Sequence, residues 1–81
     1  MTLSIAGPAD ALTFNWRPVQ GAVAYEVVVL DQAGNAAWSW TGTTTRVEPP
    51  DYAPIPDRGS ATVAAYNAQH APIGLSDSVG Y

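Results

Sequence analysis

The chain contains no cysteine and no lysine, and only 12% of its 81 residues are charged. Without cysteine, neither a disulfide nor a thiolate metal site can stabilise it. Its cations, Arg17, Arg46 and Arg58, are scattered, whereas nucleic-acid binding needs a clustered basic face that neutralises phosphates. No apolar run approaches the roughly 20 residues that span a bilayer, and the N-terminus lacks the pattern of a signal peptide. We therefore expect neither a nucleic-acid nor a membrane partner.

The sequence also lacks a catalytic or metal-binding constellation. Its one histidine, His70, is not accompanied by a motif that places a nucleophile or an orienting carboxylate beside it. Glu48, Asp51 and Asp57 fall in one segment, but their spacing is not that of a calcium loop. We therefore predict no catalytic residue, no metal site, no cofactor and no enzyme activity.

What the chain does contain is the pattern of a small β protein. A chain of 81 residues forms one domain, residues 1–81, with a modest core. Short segments rich in Val, Thr, Tyr and Trp alternate with turn residues at roughly 8–12-residue spacing, which is typical of an all-β sandwich or barrel. The predicted strands cover residues 2–6, 11–17, 23–31, 36–41, 43–48, 60–67 and 74–80.

Three of these strands alternate between an inward and an outward face. Successive side chains of a strand point to opposite sides, so every second residue shares a face. This alternation predicts a core face in the second, third and sixth strands. The residues on it are Leu12, Phe14, Trp16, Tyr25, Val27, Val29, Ala61, Val63 and Ala65.

Two segments, FNWRPVQGA at residues 14–22 and YEVVV at residues 25–29, resemble the fibronectin type III family. That family has an apolar residue, one gap, a core Trp, a Pro-containing turn with Gly-Ala, and then Tyr-x-Val-x-Val. The segment VAAYN at residues 63–67 is similar to its sixth strand. The resemblance implies a seven-stranded antiparallel immunoglobulin-like sandwich, with one sheet of three strands and one of four.

One segment departs from the family pattern. The family usually carries a tyrosine, which makes a corner hydrogen bond, six residues before an alanine of the sixth strand. Here that position is Gly59, and the connection before it is long and rich in proline. Tyr52, within that connection, is the candidate to replace the missing tyrosine.

The third and fourth predicted strands carry the candidate partner-binding residues. Val28 and Leu30 are apolar although they lie on the outward side of their strand. Trp38 and Trp40 are two residues apart and therefore share one face. Facing outward, they join Val28, Leu30 and Tyr66 in a partner-binding patch; facing inward, they belong to the core. We favour the outward orientation because the second strand already supplies two aromatic rings to a small core.

Low surface charge and this patch favour a non-catalytic structural or protein-binding module. We favour an accessory protein docked on a larger assembly, of which the surface of a virion (capsid decoration) is the best example. Its partner is then a larger scaffold or a second copy of the chain. The alternative is an extracellular spacer, or weak carbohydrate-binding module, from a secreted bacterial multidomain hydrolase or adhesin. An enzyme ranks last, because an enzymatic function must be argued from a site and the sequence shows no catalytic site.

Overall fold

The computed structural model describes residues 1–81 and contains strands but no helix. The eight strands are β1 (Leu3–Ala6), β2 (Thr13–Trp16), β3 (Ala24–Asp31), β4 (Ala36–Gly42), β5 (Arg46–Val47), β6 (Gly59–Tyr66), β7 (Pro72–Leu75) and β8 (Val79–Gly80). The predicted all-β class is confirmed. No helix long and apolar enough to cross a membrane is present.

The strands form two antiparallel sheets. The small sheet has the order β1-β2-β5, and the large sheet has the order β4-β3-β6-β7, with β8 also paired to β6. Both sheets contribute to one core of 11 buried residues, so the arrangement is sandwich-like. The core residues are Leu3, Leu12, Phe14, Trp16, Tyr25, Val27, Val29, Val47, Ala61, Val63 and Ala65. The predicted core faces of the second, third and sixth strands are thus confirmed.

The final part of the chain differs from the predicted strand at residues 74–80. Ser76 is buried, donates its N–H to the carbonyl of Val63 at 2.9 Å, and accepts the Val63 N–H on its own Oγ at 2.9 Å. Because a side chain takes the place of a backbone acceptor, the ladder along β6 is interrupted. β7 and β8 are therefore separate strands. The predicted strand at 43–48 is likewise reduced to the two residues of β5.

The prediction that Tyr52 replaces the missing corner tyrosine is wrong. The Ala53 N–H donates to the Pro50 carbonyl at 2.9 Å, closing a tight turn that leaves Tyr52 88% exposed. Tyr81 instead anchors this connection, because its hydroxyl donates to the Pro56 carbonyl at 2.8 Å. Partial burial, and then the charge of the nearby Asp57 carboxylate, raise the pKa of Tyr81 above its ordinary value.

The loops cluster at two opposite ends of the sandwich-like body. We call the end formed by residues 17–23, 43–45 and 67–71 the Arg17 end, since β2 and β4 end there and β3 and β5 begin there. We call the end formed by residues 7–12, 31–35 and 48–58 the Asp51 end. At the Arg17 end, the Tyr25 hydroxyl accepts the Val19 N–H at 3.0 Å and holds the connection between the two sheets.

Trp16 is the largest side chain of the core, and it meets the ring of Tyr25 edge to face with centroids 5.5 Å apart. Trp16→Ala should lower the free energy of unfolding by about 3–5 kcal/mol, because the lost ring leaves a cavity. Chemical denaturation measures the change. As a control, the exposed Val23 replaced by alanine should change stability by less than about 0.5 kcal/mol. Equal denaturation midpoints for the two variants would contradict the placement of Trp16 in the core.

Candidate protein-binding surface

Trp38 and Trp40 lie on the core face of the large sheet, so their predicted outward orientation is wrong. In the β3–β4 pairing, Trp40 is opposite Val27 and Trp38 is opposite Val29. Directly opposed residues of an antiparallel pair lie on the same face of the sheet. Both valines are fully buried, and both tryptophans pack, partly buried, against the core.

The tryptophans face inward because the core has room for them. The core face of β6 carries only Ala61, Val63 and Ala65, whose small side chains leave space beside the rings of the small sheet. Trp40 meets Trp16 edge to face with centroids 6.2 Å apart. Such aromatic pairs add to the stabilisation that burial alone provides. The two aromatic rings of β2 therefore do not fill the core, contrary to the expectation from the sequence.

Val28, Leu30 and Tyr66 lie on the other side of the large sheet, which we call the outer face. They alternate with the buried residues of β3 and β6, and all three are half-buried. The outer face also includes Glu26, Ala36, Ser39, Thr41, Ser60, Thr62, Ala64, Pro72, Leu75 and Gly80. Glu26 is the only charged residue among them. That Val28, Leu30 and Tyr66 bind a partner stays a prediction.

Leu75 is an outer-face residue that the sequence reasoning missed. It lies opposite Ala64, which in turn lies opposite Glu26, so it extends the apolar surface to the far strand of the large sheet. Its side chain is 67% exposed. The sequence shows an apolar residue directly before Ser76. The side of the sheet on which that residue lies depends on where the last strand is interrupted, which the sequence does not show.

Tyr66 occupies the corner of the outer face near the Arg17 end and has two side-chain neighbours. Its hydroxyl donates to Oε1 of Glu26 at 3.2 Å, and its ring stacks on that of His70 with centroids 5.6 Å apart. His70 has a φ of 64°, which is uncommon for a residue other than glycine. The Asn67 side chain supports this loop, since its Oδ1 accepts the N–H of both Gln69 and Ala71 at 3.0 Å.

The acidic residues that the sequence analysis examined for calcium do not converge. Glu48 pairs with Arg46 at 2.9 Å, whereas Asp51 and Asp57 line a shallow groove with Asp10. No group of three or more metal-ligating side chains is present. The absence of catalytic, metal and cofactor residues stays a prediction from the sequence.

Strand β4 forms a free edge of the large sheet beside the outer face. It pairs only with β3, and its residues 36–42 include neither a charged residue nor a proline. Charged residues, proline and β-bulges are the usual devices that prevent pairing with a foreign strand. Of these, β4 has only a register shift at Ala37, near its start, so residues 38–42 form a regular edge. A face with one charged residue and several apolar residues thus adjoins an edge that can accept another strand, and both are features of protein-binding surfaces.

The inward packing of Trp40 has a test at Gly42. A Cβ added to Gly42 would clash with Cζ2 of the Trp40 indole. Gly42→Ala should therefore destabilise the chain by about 1–3 kcal/mol through overpacking. In a Trp40→Ala background the same change should be neutral, or stabilising by about 0.4–1 kcal/mol, because the unfolded chain loses freedom. Denaturation of the four proteins of this double-mutant cycle measures the coupling; additive effects would contradict the contact.

The pKa of Tyr66 tests the geometry of its corner. The negative charge of Glu26, partial burial and the hydrogen bond to Glu26 all raise the pKa of Tyr66 above its ordinary value. Glu26→Gln removes the charge, so the pKa of Tyr66 should fall, as followed by NMR of its ring during a pH titration. The pKa of Tyr81, which does not depend on Glu26, should stay unchanged.

Stability at high pH provides the second readout of this pair. The folded pKa of Tyr66 lies above the unfolded value of about 10. The contribution of Tyr66 to the free energy of unfolding is therefore fully present below that pH. That contribution is lost as the pH rises through the folded pKa. Glu26→Gln should make this loss smaller. An unchanged pKa and an unchanged alkaline stability profile would contradict the contact.

Comparison with protein-family models, with curated proteins and with solved structures found no match to this chain.

Proposed function

We propose that the chain is a non-catalytic protein-binding module with a fibronectin type III-type sandwich, docked on a larger protein assembly through its outer face. A virion surface, where such a module acts as a decoration protein, is the proposed example and location. The single observation that carries the proposal is the outer face itself. It combines Val28, Leu30 and the 67%-exposed Leu75 with only one charged residue.

The strand order supports the fibronectin type III part of the proposal. The small sheet joins the first, second and fifth strands, and in the large sheet the fourth strand flanks the third, which pairs with the sixth. β7 and β8 pair with successive parts of β6, at Ala64–Tyr66 and at Ser60–Ala61. We assign both to one interrupted last strand, and on this proposal the eight strands correspond to the seven strand positions of the family.

The composition of the outer face favours a protein partner over a carbohydrate. Charge depletion and apolar side chains are typical of the centre of a protein interface. Sugar binding would favour exposed aromatic rings, but Trp38 and Trp40 lie on the core face. Tyr66 is the only aromatic residue of the outer face, and it stacks on His70.

Leu75→Glu combined with Val28→Thr tests the outer face. The first change adds a charge to an exposed position, and the second keeps a β-branched side chain in β3 while reducing its apolar surface. Association with the native assembly, measured by co-sedimentation, should weaken by more than about tenfold, since loss of a central apolar anchor costs about 2 kcal/mol. The circular dichroism spectrum and melting midpoint should stay close to those of the parent.

Val23→Glu is the matched control. Val23 is also apolar and is 53% exposed, but it lies in a loop at the Arg17 end and not on the outer face. It should leave the association unchanged. An equal loss of association in both variants, or no loss in the outer-face variant, would contradict the assignment of the outer face as the docking surface.

A further inference from the structure

The charged residues of this acidic chain are separated between its two ends. Five of its seven acidic residues lie at the Asp51 end, where Arg58 is the only basic residue. These acidic residues are Asp10, Asp31, Glu48, Asp51 and Asp57. The Arg17 end, formed by residues 17–23, 43–45 and 67–71, carries Arg17 and contains no acidic residue. The opposite ends of the molecule are therefore electrostatically complementary.

A groove of about 750 Å³ reaches the Arg17 end between β1 and β7, the neighbouring edge strands of the two sheets. Its ten lining residues include Arg17 and no acidic residue. Apolar surface is also available in it, because Ile73 and Met1 line the groove and are 39% and 38% exposed. The groove thus suits an apolar or aromatic group attached to an anion.

Two polar groups of the groove lack partners within the chain. The only ion pair of the structure joins Arg46 to Glu48, so the guanidinium of Arg17 is unpaired. The Nε1 of Trp16 is the one buried side-chain polar atom without a hydrogen-bond partner, and Trp16 is one of the residues that line the groove. Buried donors normally have an acceptor, so an unsatisfied one requires an explanation.

The Asp51 end presents a group of the kind that the groove suits. The turn at residues 50–53 places the carboxylate of Asp51 next to Tyr52, whose ring is 88% exposed. Prolines flank both residues and stiffen the segment PPDYAPIP at residues 49–56. A rigid segment loses little conformational entropy when it is bound.

We propose that the groove at the Arg17 end binds the Asp51–Tyr52 turn of a second copy of this chain. Arg17 pairs with the carboxylate, and the ring of Tyr52 packs against the apolar side of the groove. Because the groove and the turn lie at opposite ends, the contact is head to tail, and each added copy leaves one site free. This contact uses neither the outer face nor the β4 edge, so it goes beyond the proposed docking function.

Charge explains why a second copy is the occupant. The chain has a net charge of −4, so copies repel one another unless oppositely charged regions meet. The head-to-tail orientation brings the acidic end of one copy to the acid-free groove of the next. On the assembly of the proposed function, copies would meet at a high effective concentration, but the contact itself does not depend on that function.

Sedimentation velocity at concentrations up to about 1 mM, the range of weak association, tests the proposal. The parent should form oligomers that grow with concentration and dissociate as the salt rises from about 0.01 M to about 1 M, where the screening length falls to about 3 Å. Arg17→Glu and Asp51→Arg should each weaken the association by about tenfold. Arg58→Glu, the control reversal of a cation outside the groove, should not weaken it.

Mixing the two variants identifies the pairing. Arg17→Glu retains an intact acidic turn, and Asp51→Arg retains an intact groove. Each variant alone should stay largely monomeric, because its turn and its groove carry charges of the same sign. An equimolar mixture should form oligomers in which the two variants alternate, because Asp51 of one meets Arg17 of the other and the pair formed by the two substituted side chains is also complementary. Both substitutions in one chain should restore growth, because the charges are exchanged and stay complementary.

An NMR signal provides a readout at the groove itself. The Trp16 indole N–H signal of the parent should shift with concentration, and a synthetic peptide of residues 48–57 should shift the same signal in Asp51→Arg. A monomeric parent with an unchanged Trp16 signal would overturn the proposal. A mixture of variants that stays monomeric would overturn the pairing, and binding of the peptide without self-association would overturn the choice of a second copy.

The outer-face variant separates this proposal from the docking function. Leu75→Glu with Val28→Thr leaves the groove and the turn intact, so it should self-associate like the parent. Loss of self-association in that variant would place the contact on the outer face and overturn the groove. Failure of the docking test leaves the result of the mixing experiment unaffected.

Discussion

The structure depends on the way aromatic rings fill a core that has no disulfide to support it. Trp16, from the small sheet, meets Tyr25 and Trp40, both from the large sheet, edge to face. These contacts join the two sheets at the Arg17 end, where the Tyr25 hydroxyl also holds the connecting loop. Because Trp40 lies on β4, the same ring contact also holds the free edge strand to the core. These contacts matter because a small domain has a narrow margin of stability.

This use of the tryptophans determines which surfaces remain for binding. Because Trp38 and Trp40 belong to the core, the outer face has Val28, Leu30 and Leu75 as its large apolar residues and Tyr66 as its only aromatic ring. The low charge of the outer face contrasts with the acidic Asp51 end. The chain therefore separates a face with a single charged residue from an end that carries five of the seven acidic residues.

Much of the fold could be predicted because period-two alternation survives in β2, β3 and β6, whose inward residues all lie in the core. The face of β4 could not be predicted in this way, since both of its alternating sets looked acceptable and only the pairing with Val27 and Val29 decides between them. The break at Ser76 is a tertiary effect, because it depends on hydrogen bonds to Val63. Leu75 was missed for the same reason.

The most direct test of the outer-face account is an NMR cross-saturation measurement on the chain bound to its native assembly. Irradiation of the unlabelled assembly should attenuate the methyl signals of Val28, Leu30 and Leu75, which face the partner. The indole signals of Trp38 and Trp40 should stay unattenuated, because these rings pack against the core. Attenuated indole signals with unaffected methyl signals would contradict the account, because they would show that Trp38 and Trp40 face the partner.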